Sequence, residues 1–281
     1  MTLPFLKMNG LGNDFVVLDA RRREIPLTPQ AVKILADRRR GIGCDTLVLV
    51  TETSGADAAV TFFNADGSES AACGNASRCV ANLVAAETGK SALILRTRDR
   101  DLFCRILPDG RVTVDMGEPK FDWQDIPLAE RMDTRNLDIK LGPIDAPVLF
   151  GPSAVNMGNP HCLFFVKDVH AHDLEKIGPL IEAHPLFPER ANISLVEVKA
   201  GDRIRQRVWE RGVGITLACG TGACAAVAGA ARRRLTGRHV LVELDGGILE
   251  IDWREENGHI LMTGPAELNF RGEWPGEMAA P

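Results

Sequence analysis

The chain has 281 residues, of which 45% are apolar, and a formal net charge of −5. This net charge argues against a nucleic-acid partner, which would need a basic surface, and the length favours about two domains. We expect no signal peptide or membrane span, because the N-terminus lacks an apolar core and no apolar run approaches the roughly 18 residues of a spanning helix. The seven cysteines form no Cys-x-x-Cys pair, which argues against structural zinc and a disulfide framework and fits a reducing cytoplasm.

Turn and cap signals outline the first half of the chain. Residues 5–19 predict two short strands around a glycine-rich bend, and Thr28-Pro29 predicts the start of a helix that runs to Arg40 and stops at Gly41. A second helix is expected from Asn75 to about Glu87. Further strands are predicted at residues 47–50, 58–63, 93–98, 102–107 and 112–115.

The second half repeats this order, with strands at 162–166 and 204–209, helices at 174–182 and 221–235, and strands up to residue 262. Residues 118–147, between the halves, are rich in proline and charge, as is typical of a linker. The sequence therefore predicts one domain at 1–118, completed by the tail 267–281, and a second domain at 119–266.

A fixed interval of 146 residues relates polar positions in the two halves. Within each half these positions are separated by 33, 18 and 9 residues. Four matches in one register indicate a duplicated unit that carries the same polar constellation twice. The pairs are Asn13 and Asn159, Thr46 and Asn192, Asn64 and Glu210, and Cys73 and Cys219.

Each of the paired cysteines precedes a helix that is almost entirely apolar. A helix without a polar face is buried, so we expect each to be enclosed by the strands of its own half with only its N-terminus open. A thiol at a helix N-terminus is expected to have a lowered pKa, and the adjacent N–H groups suit a carboxylate. The other five cysteines are expected to be inert packing groups. They are Cys44, Cys79, Cys104, Cys162 and Cys224.

Two such helices from two domains predict an active site in the cleft between them, with one thiol on each side of a substrate α-carbon. This arrangement suits inversion of a stereocentre: one thiolate removes the α-proton, and the opposite thiol delivers a proton to the other face. Helix-end N–H groups would stabilise the enediolate. No phosphate-binding glycine motif or cofactor-lysine context is found, so pyridoxal phosphate is not expected, and the lack of a Cys-x-x-Cys pair gives no reason to expect a metal.

The motifs LGNDF, FNADGSE, ACGN, GNPHC, FPERANI, ERG and ACGTGACA, in that order, resemble those of diaminopimelate epimerases. The resemblance covers residues 5–265. It implies a cofactor-independent epimerase that interconverts L,L- and meso-diaminopimelate for lysine and peptidoglycan synthesis. It also implies an α+β fold of two similar domains, each a mostly antiparallel sheet around a buried helix, and a homodimer.

The resemblance also assigns roles to individual residues. Cys73 and Cys219 match the two proton-transfer thiols, and His161 and Glu210 match residues that tune those thiols. The positions that match substrate-binding residues are Asn13, Asn64, Asn159, Asn192, the pair Glu210-Arg211, and the helix-end pairs Gly74-Asn75 and Gly220-Thr221.

Two positions depart from the family pattern. Thr46 stands where the family usually has glutamine, so its contact with substrate is expected to run through water. Ala76 replaces a glycine and should be tolerated in the first turn of a helix.

Two other functions share some of these features. A proline or hydroxyproline racemase would use the same two-thiol chemistry, but that class typically has a histidine at the position of Asn75. It also needs fewer polar contacts than Asn64, Asn192 and Arg211 offer. A thiol module that binds metal or senses redox state would fit seven cysteines, but the two paired cysteines have no Cys-x-x-Cys partner.

Overall fold

The computed structural model describes residues 2–70, 73–143 and 145–275. The chain forms two compact units. Unit 1 comprises Met1–Asp115 and Thr263–Pro281, and unit 2 comprises Met116–Met262. Among the described residues, every helix is too short or too polar to cross a membrane.

The described elements of unit 1 are β1 (Leu3–Gly10), β2 (Asn13–Asp19), α1 (Pro29–Ala36), β3 (Thr46–Thr51), β4 (Ala58–Asn64), β5 (Glu69–Ser70), α2 (Gly74–Thr88), β6 (Ala92–Arg96), β7 (Asp101–Ile106), β8 (Val112–Asp115) and the late strand β19 (Glu267–Trp274). Those of unit 2 are β9 (Lys140–Leu141), β10 (Leu149–Phe150), β11 (Ser153–Asn156), β12 (Pro160–Val166), α3 (Leu174–Glu182), β13 (Asn192–Ala200), β14 (Arg203–Glu210), β15 (Gly214–Thr216), α4 (Gly220–Arg232), β16 (His239–Leu244) and β17 (Gly247–Trp253). Strand β18 (Ile260–Gly264) contains the boundary between the units.

The sheet of unit 1 is mostly antiparallel. Strand β1 pairs with β19 and β2, β3 with β4, β4 with β5, β6 with β7, and β7 with β8, all in antiparallel fashion. The pairs β2–β3 and β4–β6 are parallel. This sheet encloses α2, which contacts β1, β2, β3, β6, β7 and β8. The α+β fold with a buried central helix is therefore confirmed in unit 1.

Unit 2 has the same arrangement around α4. The pairs β12–β13 and β14–β16 are parallel, whereas β11–β12, β13–β14, β14–β15 and β16–β17 are antiparallel. The register also agrees: Phe15 lies opposite Thr46 in unit 1, and His161 lies opposite Asn192 in unit 2. Both residues of the second pair follow their equivalents by 146 positions, so the two units are structural repeats in the register that the sequence indicated.

The first helix is shorter than predicted. Helix α1 ends at Ala36, and Asp37 has an extended backbone. The Asp37 carboxylate accepts hydrogen bonds from the backbone N–H groups of Arg39 and Arg40, at 2.7 and 2.8 Å. An aspartate that bonds to the following backbone in this way favours a turn over a helix, which is why the arginine run lies outside α1.

The segment predicted as a linker is part of the core of unit 2. Ile126, Leu128, Leu137 and Ile139 are buried there in a cluster that also includes residues of β12, β13 and α3. Isolated apolar residues among prolines and charges did not reveal this packing in the sequence.

Candidate active site

Cys73 is the N-cap of α2, immediately before Gly74 and Asn75. Its backbone is extended (φ −140°, ψ 99°), and its carbonyl accepts from the Ser77 backbone N–H at 2.9 Å and from the Ser77 hydroxyl at 2.8 Å. The helix beyond it is buried, with Asn75 only 3% exposed. The first-turn N–H groups of a helix lack intrahelical partners, so this end of α2 offers donors beside a thiol.

The Asn13 side chain links the start of β2 to this helix end. Its Oδ1 lies 4.0 Å from the Cys73 sulfur, which makes a long thiol contact, and 3.4 Å from Nδ2 of Asn75. On its other side, Nδ2 of Asn13 donates to the Asp45 carboxylate at 3.0 Å. The structure thus brings together Asn13, Cys73 and Asn75, three of the predicted site residues.

A group of charged residues stands behind Asn13. The Asp14 carboxylate lies 2.6 Å from the Lys7 ammonium and 2.7 Å from the Arg38 guanidinium, which also contacts Asp45 at 2.7 Å. Burial alone would raise the pKa of Asp14, but the hydrogen bonds from Arg38 and Lys7 outweigh it and hold that pKa well below its usual value. Asp14 therefore stays ionised, and the ion network fixes the orientation of the Asn13 amide.

Thr46 and Asn64 lie directly opposite each other in the β3–β4 ladder. Directly opposed residues project from the same face of a sheet. Nδ2 of Asn64 donates to the Ser68 hydroxyl at 3.0 Å, and Thr46 is buried. The water-mediated substrate contact expected for Thr46 stays a prediction.

Cys219 is the N-cap of α4 and corresponds to Cys73. Its sulfur accepts the backbone N–H of Gly222 at 3.4 Å and lies 3.5 Å from the Thr221 hydroxyl. A Cβ atom on Gly222 would lie 3.2 Å from both that sulfur and Nε2 of Gln206. The second glycine of the Cys-Gly-Thr-Gly motif is therefore present because the thiol and Gln206 approach the helix closely.

The expectation of a lowered thiol pKa is wrong for Cys219. Burial raises the pKa of this thiol well above its usual value, and the negative charge of Glu210 raises it further. The hydrogen bonds from Thr221 and Gly222 act in the opposite direction but do not compensate. A thiol in this environment is protonated at neutral pH.

Asn159 and His161 interact with each other in unit 2. Nε2 of His161 lies 2.8 Å from Oδ1 of Asn159, and the imidazole is completely buried. Burial, assisted by the positive charge of Arg211, lowers the pKa of His161 to about 3. The ring is therefore neutral at physiological pH, and because a carbonyl oxygen only accepts, Nε2 carries the proton.

Glu210 and Arg211 lie at the end of β14, where the turn to β15 begins. The Glu210 carboxylate accepts a hydrogen bond from the Thr216 hydroxyl at 2.5 Å. The Arg211 guanidinium donates to the Glu189 carbonyl at 2.8 Å, and its backbone N–H donates to Oδ1 of Asn192 at 3.0 Å. Asn192 thus holds the backbone beside the charged pair, while its predicted contact with substrate stays a prediction.

Three residues of unit 2 that support the site were missed in the sequence. Gln206 is completely buried and donates to the Ser194 hydroxyl at 2.8 Å, Gly222 makes room for the thiol, and Glu182 accepts bonds around the Glu210-Arg211 turn. Each lies outside the repeated polar register and outside the positions to which the family resemblance assigned a role, and these were the two signals that selected site residues.

The remaining five cysteines are buried, as predicted. Burial raises the pKa of Cys44, Cys79 and Cys104 to about 12, and it raises the pKa of Cys162 still further. With pKa values raised in this way, these four thiols are protonated at neutral pH, and the thiolate is the reactive form of cysteine.

The neutral His161 predicts a pH-dependent stability. Its folded-state pKa lies below the ordinary value of 6.5, so between pH 6.5 and about 3 the unfolded chain binds a proton that the folded chain excludes. The contribution of His161 to the free energy of unfolding should fall in this window by up to about 1.4 kcal/mol per pH unit of decrease. Urea unfolding of His161→Phe, which copies the equivalent Phe15, should show a shallower loss of stability between about pH 6.5 and 5 than the parent protein. Identical slopes would contradict the assignment, and the exposed His170→Phe is the matched control.

Comparison with known proteins identifies the family. The family model described as diaminopimelate epimerase matches residues 5–122 and 153–269. The diaminopimelate epimerase of Acidiphilium cryptum is 53% identical over 278 residues, covering 99% of this chain and 98% of that protein. That of Phenylobacterium zucineum is 52% identical over 275 residues, covering 98% and 99%.

Solved structures with low sequence identity share the fold. A hydroxyproline epimerase from Agrobacterium vitis, with bound trans-4-hydroxy-L-proline, has a TM-score of 0.69 at 16% identity and covers 97% of this chain and 92% of its own. A phenazine biosynthesis protein of the PhzF family from Bacillus anthracis has the same TM-score and identity and covers 97% and 99%. With the family model and the close relatives matching nearly the whole length, the chain is an isomerase that belongs to the diaminopimelate epimerase family.

Proposed function

We propose that this protein is a cofactor-independent epimerase that interconverts L,L- and meso-diaminopimelate, with Cys73 and Cys219 as the two proton carriers. The observation that carries the proposal is the equivalence of these cysteines: each caps the N-terminus of the buried central helix of its unit. The relatives named diaminopimelate epimerase support the choice of substrate.

The helix ends supply the electrostatic part of the mechanism. In the proposed complex, the N–H groups of Gly74-Asn75 and Gly220-Thr221 hold the carboxylate at the reacting carbon, because helix N-termini bind anions. The same donors stabilise the enediolate that forms when the α-proton leaves. The reaction therefore needs no cofactor as an electron sink.

The protonation state of Cys219 supports an order of proton transfers. In one direction the Cys73 thiolate removes the α-proton, and the protonated Cys219 thiol delivers its proton to the opposite face. In the reverse direction Cys219 acts as the base. Burial raises the Cys219 pKa most and the charge of Glu210 raises it further, and a substrate ammonium group near Glu210 would offset the second effect and so lower the pKa of that thiol.

The remaining polar residues suit a substrate with two amino-acid ends. Glu210 can accept an ammonium group and Arg211 can bind a carboxylate. The amides and hydroxyl assigned to further substrate contacts are Asn13, Thr46, Asn64, Asn159 and Asn192. A reaction of this kind supplies meso-diaminopimelate for lysine and peptidoglycan synthesis in the cytoplasm, a compartment that fits the thiol-rich composition.

The first experiment is incubation of the purified, reduced protein with L,L-diaminopimelate in D₂O without added cofactor. We expect meso product that carries deuterium at the inverted α-carbon, because the delivering thiol exchanges its proton with solvent. Chiral separation with mass spectrometry follows both changes. A protein that fails to invert diaminopimelate but racemises proline would belong to the other two-thiol class.

Substitution of either proposed proton carrier should abolish turnover. Cys73→Ala and Cys219→Ala each remove one of two required groups, so we expect kcat to fall by about 10²- to 10⁴-fold, the usual contribution of a general acid or base. Cys79→Ala and Cys224→Ala, in the same two helices but away from their N-termini, are the matched controls. Near-parental turnover in Cys73→Ala or Cys219→Ala would rule out the two-base mechanism.

The family resemblance also implies a homodimer, and we propose this assembly for the protein. Light scattering coupled to gel filtration should give twice the mass of one chain. A single-chain mass at micromolar concentration would contradict the proposal.

A further inference from the structure

The Glu182 side chain is a buried carboxylate with three donors. It is the last residue of α3 and is only 7% exposed. One carboxylate oxygen accepts the indole N–H of Trp209 at 2.7 Å, and the other accepts the backbone N–H of Gly212 at 3.1 Å and the Arg190 guanidinium at 3.4 Å. A buried charge is retained only where partners compensate for its lost hydration, and here they do.

Two of these donors bracket the charged pair of the active site. Trp209 immediately precedes Glu210, and Gly212 immediately follows Arg211. The Trp209 ring also packs closely on α3, where a Cβ atom on Gly178 would lie 2.4 Å from it. Glu182 therefore forms hydrogen bonds with the residues on both sides of the charged dipeptide Glu210-Arg211.

The third donor connects Glu182 to the segment that holds Arg211. Arg190 lies in the loop before β13, next to Glu189, whose carbonyl accepts the Arg211 guanidinium at 2.8 Å. The same loop leads to Asn192, which accepts the Arg211 backbone N–H. The loop at residues 189–192 thus holds both the guanidinium and the backbone N–H of Arg211. The ion pair between Arg190 and Glu182 connects this loop to α3.

Unit 1 lacks this arrangement, although it has the same fold. The equivalents of Glu182, Arg190 and Trp209 carry no carboxylate, guanidinium or indole, and the uncharged pair Asn64-Ala65 stands where unit 2 has its charged pair. The residues 146 positions earlier are Ala36 for Glu182, Cys44 for Arg190, Phe63 for Trp209, and Ala65 for Arg211. Among the residues that the structure describes, the network is therefore present in the repeat that has a charged pair and absent from the other.

We propose that Glu182 is a positioning residue that sets the geometry of Glu210 and Arg211 for the ammonium and carboxylate groups of the substrate. This inference rests on the proposed function. Glu182 acts through the turn between β14 and β15 and is not itself a group that touches substrate.

The first test measures the turn directly and does not depend on activity. Glu182→Gln keeps the size of the side chain but removes its charge, and Glu175→Gln changes an exposed glutamate of the same helix as the control. Hydrogen exchange of the Gly212 amide should accelerate by about tenfold in Glu182→Gln alone, because its charge-assisted hydrogen bond is weakened. Exchange in α4 should be unchanged.

The second test separates positioning from stability. With L,L-diaminopimelate, Glu182→Gln should lower kcat/KM by about tenfold, mainly through a higher KM, because the charged pair binds substrate in both the ground state and the transition state. A loss of thermal stability with an unchanged KM would overturn the proposal, since that is the result of a purely structural role. Unchanged exchange at Gly212 would also overturn it.

Trp209→Phe provides a second variant. It removes the indole N–H and keeps an aromatic ring against α3, so its effects on exchange and KM should be smaller and in the same direction. If Glu182→Gln does not fold, Trp209→Phe alone tests whether Glu182 positions the charged pair. A KM of Trp209→Phe equal to that of the parent protein would then overturn the proposal. An inactive parent protein would instead refute the proposed function. The hydrogen exchange of the Gly212 amide would still show whether Glu182 orders the turn, because that measurement does not depend on activity.

Discussion

The burial of α2 and α4 is the constraint on which the rest of each unit depends. A helix surrounded by strands can present only its ends, and its N-terminal end carries N–H groups without intrahelical partners. Cap positions usually hold serine, threonine, aspartate or asparagine, whose oxygens satisfy those groups. Here the cap is a cysteine, and in unit 2 its sulfur accepts a first-turn N–H as a hydroxyl oxygen would. The fold thereby places a thiol beside donors that suit a carboxylate.

The two repeats place different charged residues around the buried helix and its N-terminal cysteine. In unit 1 the Gly43 carbonyl accepts a hydrogen bond from Lys7, and in unit 2 the equivalent Glu189 carbonyl accepts from Arg211. The cation of unit 1 is neutralised by Asp14, which belongs to the network behind Asn13. The cation of unit 2, Arg211, lies next to Glu210 in a turn whose Gly212 N–H donates a hydrogen bond to Glu182. One backbone position therefore holds a structural cation in one repeat and a candidate substrate-binding cation in the other.

Burial decides the protonation states in unit 2. Burial, reinforced by the positive charge of Arg211, lowers the pKa of His161, so the ring stays neutral and can orient Asn159 through its one N–H but does not take up a second proton at neutral pH. The Cys219 thiol stays protonated for the same reason, with Glu210 reinforcing the effect. A thiol held in this form is suited to deliver a proton.

The sequence by itself determined the duplication, the two capped helices and the positions that correspond between the repeats, because a 146-residue interval and apolar periodicity are properties of the chain alone. It also carried the motifs that identify the family. Only the tertiary structure decided the burial of Ile126, Leu128, Leu137 and Ile139, the raised pKa of Cys219, and the hydrogen bonds of Gln206 and Glu182. Those properties depend on desolvation and on hydrogen bonds between residues far apart in the chain, such as Glu182 and Gly212, and no local pattern encodes which groups packing brings together.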